Sequence, residues 1–418
     1  MEERGLKLWR LFVQQPQLWP GWDMAATPIA FHDDQRAVLF GHPNPPKEFK
    51  EIEAEGVNYF VAYNKPDSFT ANTSVDLNGV PTATIMWHQR EEEAMLGLIS
   101  HEAFHAYQMS KNCPLGNIAM AMKYPVNNAQ VQALAIIEAE LLYRALSTDN
   151  NFNHITAALD ARASRQALVL PEIAVFEDEV ELGEGLATYI EVKSAGPGSK
   201  LWNSKVELLP KLNKNAWGAD RLRFYYSGMA WALLCDEYAP GWQQKEWQHQ
   251  ANILAEAMGH TPMVHRRIFP GIDHDNLLLQ QQLEAEKREE QTQLTLAQAL
   301  PGSGVRVEIY SKGIPVGGGW NPNTAVTFPG TGRFHPTGLM YVYDTGVKVK
   351  VGKDCLEKEH IRRIVFERHD LTITINGKRL VSGKHQGRLE ISGEDCEICL
   401  PQAKVKFDGK ILKAEEIL

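Results

Sequence analysis

Glu91-Glu92-Glu93-Ala94-Met95-Leu96-Gly97-Leu98-Ile99-Ser100-His101-Glu102-Ala103-Phe104-His105 reads as a helix that carries an HExxH pattern. Three acidic residues suit its N-terminus, where the macrodipole favours negative charge. Met95, Leu98 and Ile99 then begin an apolar stripe at helical spacing that leads into His101. Positions i and i+4 share one helix face, so His101 and His105 can present two imidazole nitrogens to a single ion. Glu102 stands beside them, where a carboxylate can take a proton from an activated water. This arrangement serves zinc-dependent peptide hydrolysis, and it needs a third protein ligand while one position stays open for water.

The chain changes character on either side of this helix. Residues 1 to 90 read as strand-rich: Pro28 to Phe31 and Arg36 to Phe40 flank Asp33-Asp34 as a hairpin, with further strands at Tyr59 to Tyr63 and Pro81 to Trp87. The last of these precedes the HExxH helix. As a sheet edge beside the site it would hold an extended peptide by backbone pairing. From residue 91 to 300 the period is helical, with helices expected at Ala129 to Leu146, Asn153 to Leu168, Pro171 to Lys193, Asp220 to Glu237 and Trp242 to Met258. A charged, Gln-rich helix, Leu277 to Ala299, stops at Pro301-Gly302. Residues 301 to 418 carry short β-like runs at Val305 to Tyr310, Leu339 to Tyr343, Val347 to Val351, Arg363 to Phe366 and Leu371 to Ile375, with hairpin signals at Asn376-Gly377 and Asp408-Gly409. The expected fold class is therefore α+β, with a separate all-β accessory domain at 301–418.

A length of 418 residues with 44% hydrophobic and 23% charged residues is the profile of a soluble chain of two or three domains. The net charge of −9 is uneven, because residues 301 to 418 hold 18 Lys and Arg against 14 Asp and Glu, leaving −13 on the rest. Neither part has the basic footprint of a nucleic-acid binder. No run reaches the ~18 to 20 apolar residues of a membrane span. The acidic start, Met1-Glu2-Glu3-Arg4-Gly5, lacks the basic region of a secretory signal, and five Cys, an odd number, do not suggest a disulfide framework. A cytoplasmic protein is expected.

The third ligand is sought in Glu181-Leu182-Gly183-Glu184-Gly185-Leu186-Ala187-Thr188-Tyr189-Ile190-Glu191. On chemistry and spacing alone Glu184 competes with Glu181, Glu191, Glu177 and Glu179, any of which suits zinc. The segment Glu184-Gly185-Leu186-Ala187-Thr188-Tyr189 resembles the Glu-Gly-(Phe/Leu)-Ala-x-Tyr stretch of gluzincin metallopeptidases, notably those similar to aminopeptidase N. That resemblance implies a mainly helical, zincin-like catalytic domain over 91–300 and makes Glu184 the third zinc ligand. Tyr225-Tyr226-Ser227-Gly228-Met229-Ala230 resembles the same enzymes' Tyr-x-x-Gly-Ala helix, which implies Tyr225 as donor to the oxyanion, with Tyr226 as the fallback. Two departures stand out. Between His105 and Glu184 lie 78 residues, many more than in aminopeptidase N, and the Gly-x-Met-Glu-Asn anchor for a free amino terminus is absent, so aminopeptidase specificity does not carry over.

The expected activity is zinc-dependent hydrolysis of a peptide or protein substrate, with Glu102 as general base. Two alternatives are a catalytically silent binding or regulatory protein on the same fold, and a zinc hydrolase of a non-peptide ester, amide or epoxide. Cys396-Glu397-Ile398-Cys399 is a single CxxC and reads as reduced thiols in a β domain. His42 reads as a loop residue, and Trp19 and Trp22 as packing anchors.

Overall fold

In the computed structural model the described residues are all except 67, 70, 89, 117–119, 121–122, 149–150, 213–215, 246, 321–324, 329–331, 359–361 and 418; for 212, 216–220, 298–299 and 327 only the backbone is described. Helices and strands both contribute, as an α+β chain requires. By contacts the chain falls into two units, one of Met1–Asn117 with Gln130–Leu277, the other of Ile118–Ala129 with Leu278–Leu418. The boundary expected at residue 300 thus lies at Leu277. The reason is that the last helix, which reads as merely solvated, sets Leu296 and Leu300 against Phe328, Phe334, Leu356 and Val365 of the β unit.

The first unit opens with helix α1 (Glu2–Val13), which the strand-rich reading of residues 1 to 90 missed. Leu6, Leu8 and Phe12 are buried along it, an apolar face that short-range strand patterning does not reveal. Six strands follow: β1 (Ile29–His32), β2 (Ala37–Phe40), β3 (Lys50–Ala54), β4 (Val57–Ala62), β5 (Thr73–Leu77) and β6 (Val80–Met86). They order as β3-β4-β2-β1-β6-β5. The hairpin around Asp33-Asp34 forms, with Ile29 opposite Phe40 and His32 opposite Ala37. Strand β6 is not an edge: it pairs parallel with β1 and antiparallel with β5. The edge position belongs to β5, whose polar sequence Thr-Ser-Val-Asp-Leu gives little strand signal.

Helix α2 (Glu92–Ser110) packs on β5 and β6 and carries the HExxH residues. Next come α3 (Ala129–Ser147), α4 (Phe152–Gln166), α5 (Pro171–Val180), a π-helical turn at Glu181–Gly185, α6 (Leu186–Ala195), α7 (Lys200–Val206), α8 (Leu209–Leu212), α9 (Ala216–Tyr238) and α10 (Gln250–Ala257). The continuous helix expected over Pro171 to Lys193 is therefore broken by the π-turn. Likewise Trp242 to Met258 is a short 3₁₀ turn followed by α10, with His249 capping the helix by accepting from the Ala251 N–H. Trp19 and Trp22 are packing anchors: their rings lie 5.2 and 5.4 Å from that of Phe104, between the two histidines of α2. His42 holds the loop to the edge strand, donating to the Leu77 carbonyl at 2.9 Å.

The second unit combines α11 (His274–Ala299) with one extensive, mostly antiparallel sheet. Its core gathers Val307, Tyr343, Val349, Phe366, Leu389 and Leu400. Asn376 and Gly377 both take positive φ between strands Thr372–Ile375 and Lys378–Arg379, the backbone a tight hairpin turn demands. All five cysteines are free, and Cys396 and Cys399 sit three residues apart on one strand, so their thiols point to opposite faces. Among the described residues no helix is long and apolar enough to cross a membrane.

Candidate metal centre

Helix α2 brings His101 and His105 one above the other, with ring centroids 4.9 Å apart. The π-turn then presents Glu184 to both: Oε2 is 3.2 Å from His105 Nε2 and 3.7 Å from His101 Nε2. Donor atoms of these three residues lie within 4.8 Å of one another. A tetrahedral zinc with bonds of ~2.0–2.1 Å sets its ligand atoms about 3.4 Å apart. Two nitrogens and a carboxylate oxygen at these separations fit that ion. The chain thus brings together the three residues named in the sequence as candidate ligands.

The outer nitrogens of both imidazoles face other side chains, and the Nε2 atoms converge. Gln108, fully buried, donates its Nε2 to the Leu182 and Gly183 carbonyls, each at 2.9 Å. Its Oε1 must then face His105 Nδ1, at 2.7 Å, and can only accept. With Nδ1 donating to that acceptor, Nε2 is the nitrogen that His105 turns to Glu184. On His101, Nδ1 lies 3.3 Å from Glu191 Oε2, too oblique for a straight hydrogen bond. Glu191 is itself held by Lys205 Nζ at 2.7 Å. These are the partners that a metal-binding histidine pair requires. They went unread in the sequence, although Gln108 stands at i+3 from His105, on the same helix face.

Electrostatics bind the cluster tightly. Burial pushes the Glu184 carboxyl up, but hydrogen bonds from His101 and His105 outweigh it and hold it well below the ordinary carboxylate range. Burial likewise opposes the charged form of His101, yet Glu184 and Glu191 raise its pKa to about 10. Glu191 is held down to about 2 against burial by His101 and Lys205. Glu102, 6% exposed, is raised by burial, an effect that His101 and His105 partly offset. The Ser74 hydroxyl of β5 donates to the Glu102 carbonyl at 3.1 Å, so the edge strand is tied to the helix at this residue.

Tyr225 and Tyr226 face different ways from α9. The Tyr225 ring stacks on His101 at 6.4 Å and 17°, and its hydroxyl, raised above its ordinary pKa by burial and by Glu184, bonds to that carboxylate. Tyr226 lies instead beneath Lys205, 5.7 Å from its ammonium. Arg221, one turn earlier, sets Nη2 2.6 Å from Glu184 Oε1.

The competing glutamates have other duties. Glu181 is fully buried between Arg162 and His249, each at 2.7 Å, and accepts from the Ser227 hydroxyl. Glu177 accepts from Arg165 and lies 3.3 Å from Arg223, while Glu138 takes Arg165 at 2.8 Å. Asp178, Glu181 and His249 also cluster closely enough for an ion, but the Arg162 guanidinium already fills that role, 2.6 Å from Asp178. Glu179 stands outside both clusters. What separates Glu181 from Glu184 is the π-turn, together with a helix crossing in which Gly185 meets Gly228. A Cβ on Gly185 would lie 2.6 Å from the Gly228 Cα.

Replacing Gln108 by Leu should weaken zinc binding by about 10–100-fold, the usual effect of removing such an outer partner. Competition against a chromogenic chelator measures it. An unchanged affinity would remove Gln108 from the site.

No protein-family model, curated protein or solved structure matches this chain.

Proposed function

We propose that the chain is a zinc-dependent peptidase of gluzincin type, with His101, His105 and Glu184 as ligands. The observation that carries this reading is the convergence of His101 Nε2, His105 Nε2 and Glu184 Oε2 on one point. Gln108 accepts from His105 Nδ1, and Glu191 stands 3.3 Å from His101 Nδ1. Zinc bound there supplies Lewis acidity, making a water nucleophilic near pH ~7 and polarising the scissile carbonyl.

The chain's own residues do the rest. Glu102 takes the proton of the attacking water on its carboxylate and passes it to the leaving amine nitrogen. Its burial, which raises its pKa, suits a base that must also act as an acid. The Tyr225 hydroxyl donates to the carbonyl oxygen as negative charge develops there. Glu191 and Gln108 hold the imidazoles in register, and Arg221 fixes the second oxygen of Glu184. Among the described residues β5 pairs only with β6, so its outer edge is open to an extended peptide beside α2. Five free cysteines suit a reducing, cytoplasmic setting.

Metal analysis of the purified chain combined with turnover of a mixed peptide library tests the reading. Stoichiometric zinc with cleavage supports it; zinc without cleavage of any peptide favours a silent binding protein or a non-peptide hydrolase. Tyr225→Phe should lower kcat by about 10²–10³, the effect of losing one oxyanion donor, with zinc content unchanged. Steady-state kinetics with the best library peptide decides it. If Tyr226→Phe gave the larger loss instead, the donor would be misassigned.

A further inference from the structure

The β unit carries a groove of about 890 Å³ on its sheet, across strands Gly383–Ser392, Cys396–Phe407, Ile411–Glu416, Val305–Tyr310 and Arg363–Arg368. Its lining includes Lys384, Lys404, Lys406, Lys413 and Arg363 against only two carboxylates, Glu308 and Glu415. Three of the lysines form a row in direct register: Lys384 is opposite Lys406, and Lys406 is opposite Lys413. Like charges placed directly opposite destabilise a sheet. The ordinary pattern is an opposite pair, as with Lys350 opposite Glu397.

The row ends on a carboxylate, with Glu308 opposite Lys413, and beside it Lys404 is opposite Glu415. Glu308 is 3.8 Å from Lys413 but is already engaged by Arg363 at 2.6 Å and Arg306 at 3.0 Å. Among the described residues no carboxylate lies within ion-pairing distance of Lys384, Lys404 or Lys406. A sheet that keeps Lys384 directly opposite Lys406, with no carboxylate in reach of either among the described residues, gives up stability that an opposite charge there would return.

We infer that this groove binds an acidic segment of polypeptide. Four strand-to-strand steps of ~4.8 Å span about 19 Å, the reach of about six extended residues at ~3.3 Å each. Acidic side chains would meet the lysine row, and the segment's N–H groups could donate to Glu415. A single-stranded nucleic acid fits less well. It binds through aromatic platforms, and the lining holds one tyrosine, Tyr310. The inference does not depend on the catalytic reading of the other unit.

The test is fluorescence anisotropy of a labelled ten-residue peptide of alternating Glu and Ser, titrated with the full chain at low and at raised salt. The native chain should bind it and lose affinity as salt rises. Lys384→Glu combined with Lys406→Glu should weaken binding at least about tenfold, since two favourable charge contacts become repulsive. Lys350→Glu, away from the groove, should leave binding unchanged. Lys406→Glu alone should also raise the thermal midpoint by turning two repulsive cross-strand pairs into attractive ones. That result separates loss of binding from loss of fold. Failure of the native chain to bind, full binding by the double variant, or tighter binding of a single-stranded oligonucleotide of matched charge would each overturn the inference.

Discussion

Glu102→Gln should keep its zinc and lose its hydrolysis, with kcat down by about 10²–10⁴, the contribution of a positioned general base. Gln has the shape of Glu and fills the same buried space, so packing around Phe104 and the contact from Ser74 to the backbone should persist. Neither His101 nor His105 takes its ring partner from Glu102: those come from Glu191 and Gln108. The proton acceptor alone is removed. Metal content by atomic emission and turnover of a cleaved peptide give the two readings. Activity within tenfold of native at full zinc would sink the mechanism; loss of zinc as well would recast Glu102 as part of the metal-holding charge balance.

Gly185→Ala should disable the site from a distance. The added Cβ would meet the Gly228 Cα at 2.6 Å and the Phe224 carbonyl oxygen at 3.0 Å, both of them backbone that cannot rotate aside. Helix α9 must then move away from the π-turn. Glu184 precedes the crossing on one side and Tyr225 lies three residues before it on the other, so both shift relative to the histidine pair. Overpacking of this kind costs about 1–3 kcal/mol, and more where backbone is involved. Zinc affinity should fall at least about tenfold alongside it. A Gly319→Ala control, where an added Cβ meets nothing within 4 Å, should melt as the native chain does. Native zinc affinity in Gly185→Ala would show that the crossing does not position the ligands.

Much of the site was legible because its chemistry repeats at short range. Two histidines four residues apart on an apolar-striped helix define a face by themselves, and the structure places them together. The choice among glutamates was not legible from spacing. Glu177, Glu181, Glu184 and Glu191 differ in fate because Arg162, Arg165, Arg223 and Lys205 approach from other helices, contacts that no local pattern encodes. The resemblance to Glu-Gly-Leu-Ala-Thr-Tyr pointed to Glu184, and the Gly185–Gly228 crossing gives that glycine a physical reason. Gln108 escaped notice because its role is set by two carbonyls more than seventy residues away. In the fold, the hairpin at Asp33-Asp34 and the strands after Pro301 followed turn chemistry and β-branched runs. Helix α1 and strand β5 did not, because one sets its few buried apolar residues among charged ones and the other is polar.

The π-turn at Glu181–Gly185 has a consequence beyond separating two carboxylates. It is equivalent to one residue added to a helix, and each residue of an α-helix advances about 100° around the axis. Everything downstream is therefore phase-shifted by that amount relative to α5. Were the turn closed up by a single-residue deletion, the face of α6 bearing Glu191 would swing roughly 100° away from His101, while Glu181, upstream, would keep its arginine. The turn is a clutch between an anchored helix and a presented one, and a change of one residue in chain length there is worth more than most changes of residue identity.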